Sequence, residues 1–152
     1  MADINVDLTQ AGDVVTLGGM KFRRKPRTYT LNLVRTAVVN AQFNGTIQID
    51  PNLAPFLLTS IHIGDTADTN TLTTLEDFFV SAQDNENGYF WTDGVVPRTS
   101  FAGDRVFGYV YPSAVAIRAN TRITFVIQNK AAAPTAGTAT ISLRGWTLIP
   151  IN

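Results

Sequence analysis

The chain has 152 residues, enough for one domain whose core needs neither disulfides nor a structural metal. It has no Cys, which excludes disulfides, thiolate catalysis and Cys-based zinc sites. Charged residues make up only 16% and the formal net charge is +0, so no overall field draws the chain to nucleic acid or to an anionic membrane, and little self-repulsion opposes association.

The opening MADINVDLTQ has neither a basic stretch nor an apolar run, so no signal peptide is expected. No apolar stretch approaches the roughly 18 residues of a membrane-spanning helix. Ile4, Val6 and Leu8 alternate with polar residues, and Val14 to Leu17 leads into Gly18-Gly19. This reads as an arm or edge strand followed by a tight turn. The dense charge run comes next, with Lys21, Arg23, Arg24, Lys25 and Arg27. Pro26 has no N–H to give to a ladder and argues against a central strand there. We therefore expect an N-terminal arm over residues 1–27 and a β-sandwich over 28–152.

From Tyr29 the period is two. Tyr29, Leu31 and Leu33 share a face, and Val39, Ala41 and Phe43 repeat the pattern before Asn44-Gly45. Asn-Gly between alternating apolar runs predicts a hairpin turn into Ile47 and Ile49. Phe56 to Ile63 predicts a strand ended by Gly64-Asp65. Thr66 to Ala82 predicts one helix, with capping-box spacing at Thr73 and Glu76 and with Leu72, Leu75, Phe79 and Ala82 near one face. Its Thr and aromatic content also suits a strand. Tyr89 to Trp91 follows a polar turn and ends at Asp93-Gly94. Val106 to Tyr111 predicts a strand closed by Pro112, with Phe107, Tyr109 and Tyr111 on one face and Val106, Gly108 and Val110 on the other. Short strands follow around Val115 to Ala119 and Ile123 to Ile127, then a flexible loop over Ala131 to Gly137. The last strand carries Ala139, Ile141 and Leu143, with a bulge expected at Gly145 before Trp146. Eight or nine short strands with turn residues between them predict an antiparallel all-β sandwich or barrel with at most one short helix.

Catalytic groupings are sparse. His62 stands alone inside FLLTSIHIGD, so a nucleophilic triad is not expected and a multi-His metal site is impossible. The ten Asp sit mostly beside Gly, Asn or Thr, where the side chain bonds the local backbone of a turn. Asp65 to Asn70, DTADTN, offers oxygen ligands but lacks the frame of a calcium loop. No metal, cofactor or catalytic site is expected.

Two groups of residues suit an interface. The cations Lys21, Arg23, Arg24 and Arg27 suit an acidic protein surface better than nucleic acid, because no aromatic residues recur among basic ones elsewhere. Phe107, Tyr109 and Tyr111 lie on a strand that is apolar on both faces, which fits either the interior or a subunit interface.

The stretch RVFGYVYPSAVAIRANTRITFVIQN, followed by TATISLRGWTLIPIN, resembles small structural proteins of tailed-bacteriophage heads. The match lies on a strand ending in Pro112, on the Ala119, Asn120, Thr121, Arg122 run into an alternating strand, and on the closing Leu143, Gly145 and Trp146. DFFVSAQDNENGYFWTDG is similar in spirit, and the resemblance spans roughly the last half of the chain. It implies a jelly-roll-like capsid decoration (cement) protein, often a homotrimer, seated on the major capsid protein at the outside of the virion and without catalytic residues or cofactors. Two other readings compete. One is a carbohydrate-binding jelly-roll module that stacks sugars on Tyr89, Trp91 and Trp146. The other is a β-sandwich hydrolase using paired Asp and Glu, with Glu76 and Glu86 the only glutamates.

Overall fold

Period-two patterning sets every long element. In the strand Arg122–Asn129, Ile123, Phe125 and Ile127 are wholly buried while Thr124, Val126 and Gln128 point outward. The structure is a computed structural model that describes residues 14–52, 55–66, 78–84, 89–92, 94–103, 108–130 and 135–151. Among these residues the strands are β1 (Val14–Leu17), β2 (Met20–Arg35), β3 (Gln42–Gln48), β4 (Phe56–Asp65), β5 (Phe78–Asp84), β6 (Tyr89–Phe90), β7 (Val96–Pro97), β8 (Tyr109–Ile117), β9 (Arg122–Asn129) and β10 (Gly137–Pro150). The one helix among the described residues is α1 (Arg98–Ala102).

The strands pair as one long double ribbon. β2 pairs with β10, β3 with β9, β4 with β8 and β5 with β6, all antiparallel. Rolling that ribbon up adds the pairs β10–β4 and β5–β9. The result is two sheets, β1-β2-β10-β4-β8 and β3-β9-β5-β6, with β7 on β5. This is the strand order of a jelly roll with an additional strand, β1, at one edge. Between the sheets lie Leu33, Ile47, Ile49, Phe56, Leu58, Ile61, Ile63, Phe78, Val80, Phe125, Ile141 and Leu143. Each such side chain contributes about 1.5–3 kcal/mol when fully removed from water.

Several expectations are corrected. Asn44-Gly45 is not a turn: β3 runs straight through it, with Asn44 opposite Val126 and Gly45 opposite Phe125. The glycine is there for space, since a Cβ would lie 2.8 Å from Leu33 Cδ2 and 3.0 Å from Leu31 Cδ1 of the facing sheet. The end of the predicted helix, Phe78 to Ala82, belongs to β5, where strict alternation buries Phe78, Val80, Ala82 and Asp84. Thr73, Glu76, Leu72 and Leu75 lie outside the described residues. Pro112 does not close a strand, because β8 continues past it. The ladder jumps from Val110–Ser60 to Val115–Leu58, so residues 111–114 swell out opposite Thr59 and the proline needs no ladder partner. A register shift does fall at Arg144/Gly145, but the extra residue is Thr59 on β4. That shift keeps both Leu58 and Ile61 facing inward. A Cβ on Gly145 would overlap the Leu57 carbonyl oxygen, so the close crossing there requires glycine. The boundary drawn at residue 27 falls inside β2: residues 14–27 form β1 and the first half of β2, and residues 1–13 lie outside the described ones.

A buried polar node ties the sheets at one end. Arg35 Nε and Nη2 reach Asp65 Oδ2 at 2.7 and 2.6 Å, and both side chains are fully shielded from solvent. Arg35 Nη1 donates to Asn129 Oδ1 at 2.8 Å, crossing from the first sheet to the second. Asn129 Nδ2 in turn donates to the Thr36 and Val38 carbonyls at 2.7 and 2.8 Å, fixing the loop between β2 and β3. The Arg35 guanidinium also lies 4.7 Å from the Phe78 ring centroid. Removing one partner strands a buried charge, whereas replacing the pair with apolar groups is often near neutral. Arg35→Met or Asp65→Asn is therefore expected to cost roughly 3–5 kcal/mol in urea unfolding, and Arg35→Met with Asp65→Leu is expected to cost less than the two single losses added.

Candidate functional site: a cationic ribbon and an aromatic cleft

The outward faces of both sheets carry mainly hydroxyls and amides, with Arg122 on one and Arg144 on the other. On the second sheet, Gln42, Asn44, Thr46 and Gln48 of β3 lie beside Arg122, Thr124, Val126 and Gln128 of β9. Hydroxyls and amides pair across the strands, with Thr46 and Thr124 at 3.1 Å and Gln48 Nε2 donating to Asn120 Oδ1 at 2.7 Å. On the first sheet, Thr28, Thr30, Asn32 and Val34 adjoin Arg144, Ser142, Thr140 and Thr138. Thr140 Oγ1 donates to Asn32 Oδ1 at 2.8 Å. His62 sits on this same face opposite Ser142. Among the described residues neither outer face carries a carboxylate.

Positive charge is concentrated elsewhere, on a ribbon formed by β1, the first half of β2 and the last third of β10. The inward face of β2 carries Tyr29, Leu31, Leu33 and Arg35 inside the sandwich. The same parity continues as Arg27, Lys25, Arg23 and Lys21, all exposed. At the strand rise of about 3.3 Å per residue these four cations form a row about 20 Å long, spaced by about 6.7 Å. Arg27 marks the edge of the sandwich: its guanidinium lies 3.9 Å from Asp50 and 5.1 Å from the centroid of Tyr29. Tyr29 packs edge-on against Phe56 at 5.0 Å and accepts a hydrogen bond from the Asp50 amide at 3.2 Å. The neighbouring strands flank the row with aliphatic residues. Val14 and Ile149 both stand opposite Arg23, and the Ile151 amide bonds the Lys21 carbonyl at 3.0 Å. Val14, Ile149 and Ile151 are 43%, 38% and 40% exposed.

The opposite face of the ribbon has a small core of its own, in which Val15, Phe22, Leu57 and Leu148 are buried with Trp146 against them. Arg24 belongs to this side and stacks 4.9 Å from the Trp146 centroid. Thus the charge run splits by strand parity. Lys21, Arg23 and Arg27 are brought together with Lys25, and Arg24 is turned away from them.

The second feature is a cleft of about 360 Å³ lined by Leu58, Trp91, Ser100, Phe101, Tyr109, Tyr111 and Val115. It opens where β8 swells at residues 111–114 and α1 packs nearby. The Tyr109 and Tyr111 rings meet edge to face at 5.0 Å, while Trp91 and Phe101 each stand 6.4 Å from Phe125. Burial raises the Tyr111 phenol above its ordinary value of 10.0, with a smaller push from Tyr109. Phe107 and the side chain of Tyr89 lie outside the described residues. Trp91 and Trp146 pack into different hydrophobic clusters, so they do not form a common stacking shelf.

Glu76, Glu86 and residues 67–70 of DTADTN also lie outside the described residues, and Asp65 is bound to Arg35. Among the described residues no three His, Cys, Asp or Glu side chains cluster, and no helix is long and apolar enough to cross a membrane. Sequence reasoning named Lys25 in the basic run but not among the candidate interface residues, and passed over Val14, Ile149 and Ile151 on the ribbon and Ser100 and Phe101 in the cleft. Parity along β2 identifies Lys25, but the others need the three-dimensional pairing.

Comparison with family models, with curated proteins and with solved structures gives no match.

A raised phenol pKa means that the fold favours the neutral Tyr111. Its contribution to stability is complete below pH 10.0 and is lost as pH rises through the folded pKa. Tyr111→Phe is expected to flatten the fall in denaturant stability above that pH, as followed by urea unfolding across the alkaline range.

Proposed function

We propose that this protein is a structural virion component, a decoration (cement) protein that binds the outside of a tailed-phage head as an oligomer, with the major capsid protein as its partner. The observation that carries the reading is the division of the surface into hydroxyl- and amide-rich sheet faces, with Arg144 on one and Arg122 on the other, and one projecting ribbon on which four cations stand in a row between aliphatic borders. Faces with few charges tolerate close contact with other protein because little must be desolvated. A charged ribbon supplies orientation and encounter rate. Weak contacts repeated by symmetry add up to firm attachment. The resemblance of the last half of the chain to phage-head structural proteins agrees with this. The jelly roll does not decide it, since that fold serves both capsid and lectin domains.

The aromatic cleft favours a second reading, a carbohydrate-binding module. Trp91, Tyr109 and Tyr111 offer ring faces, and Ser100 and the phenols offer hydrogen bonds. One experiment separates the two. Purified protein is mixed with heads of the corresponding phage that lack it, and in parallel is applied to a glycan array. The virion reading expects an oligomer by light scattering, saturable co-sedimentation with heads and a higher temperature of head rupture. A monomer that ignores heads, and that binds a glycan in a manner lost in Trp91→Ala, would replace it with the second reading.

A further inference from the structure

We infer that the cationic face of the β1–β2–β10 ribbon is the docking surface of the molecule, and that it takes an acidic, aliphatic-edged surface of another protein. The inference rests on the virion reading only in naming that protein as a subunit of the shell. The first argument is geometric. Lys21, Arg23 and Lys25 project beyond the sandwich on one side of a strand that its neighbours brace on both edges at Arg23. Such a row is held straight, so its charges meet a partner together. Their spacing of about 6.7 Å is that of alternate residues on an extended strand, so carboxylates at alternate positions of a partner strand would pair with them one to one.

The second argument is chemical. Val14, Ile149 and Ile151 border the row and are between 38% and 43% exposed. A phosphate backbone offers those residues nothing to pack on, and the face has no aromatic ring on which a base could stack. An acidic protein surface with apolar edges satisfies both parts. A second copy of this chain offers no matching face among the described residues. Asp65 and Asp84 are buried, and Asp50 already lies beside Arg27.

The third argument is size. A face about 20 Å long and three strands wide, at about 4.8 Å per strand, covers only about 300 Å². That is well below the roughly 800 Å² per partner of a stable complex, so each ribbon binds weakly and attachment needs several ribbons acting together.

The test uses the full chain, phage heads lacking it, and three proteins: wild type, Lys21→Glu/Arg23→Glu/Lys25→Glu, and Val14→Ser/Ile149→Ser. All the substituted side chains are exposed, and the fold of each variant is checked by circular dichroism and thermal unfolding. Binding to heads is measured by co-sedimentation at about 50 mM and about 300 mM salt, where screening separates exposed charge pairing from apolar contact. Wild type is expected to lose at least about tenfold in affinity with added salt, and the charge-reversed protein at least about 100-fold at low salt. The serine variant is expected to bind more weakly while keeping the salt dependence. If wild type binds heads and the charge-reversed protein binds equally well, the inference is overturned and the virion reading stands. If wild type does not bind heads, both fall. Tighter binding of wild type to DNA than to heads, or loss of self-association in the charge-reversed protein with head binding unchanged, overturns the inference in favour of nucleic acid or a second copy.

Discussion

The ladder between β2 and β10 is the constraint on which the rest depends. It runs from Gly137–Arg35 to Pro150–Phe22 and joins the beginning of the described chain to its end. Because side chains alternate strictly, its register decides at once which residues of both strands enter the core. Sliding it by one residue would put Lys25 and Arg27 on the side of Trp146 and Leu148 and turn Phe22 to solvent. The same choice of register that buries Leu33 and Ile141 thus also sorts the charge run into a cationic face and an apolar one.

Charge placement follows a single economy. Inside the sandwich Arg35 and Asp65 form a buried ion pair, and Asn129 and a phenyl ring complete the surroundings of the guanidinium. A buried pair of this kind adds little net stability over apolar residues of the same shape, but it penalises any packing in which the partners fail to meet. Here it specifies how the β2 end of one sheet meets the β9 end of the other. The outer faces use hydroxyls and amides that satisfy one another across strands. Four exposed cations, Lys21, Arg23, Lys25 and Arg27, stand in one row on the ribbon.

Irregularities in the strands create the local features. Thr59 is the extra residue that lets Leu58 and Ile61 both face inward, and the swelling of β8 opposite it opens the aromatic cleft. Gly145 permits β10 to cross close to the Leu57 carbonyl at the point where the sandwich gives way to the ribbon. Each departs from ideal pairing where the surface acquires a distinctive shape, as bulges commonly do.

The sequence by itself determined the class of fold, because period-two patterning and turn residues are local properties. Ile123, Phe125 and Ile127, or Ala139, Ile141 and Leu143, announce a buried face without knowledge of the partner strand. It also determined that cations gather near the beginning of the chain. Only the tertiary structure decided the meaning of residues whose local signals conflict with their surroundings. Asn44-Gly45 has the composition of a turn, yet lies within β3 because Leu31 and Leu33 occupy the space where a side chain would stand. Pro112 reads as a stop, yet is accommodated where β8 leaves its ladder. Pro26 argues against a strand, yet lies within β2, opposite Trp146 of β10 and beyond the residues that pair with β1. Local propensities amount to about 1 kcal/mol or less, and a continuous ladder with a filled core outweighs them. Which cations stand together and which aromatic rings enclose a cleft depends on strands far apart in the chain, and one-dimensional patterning does not encode those distances.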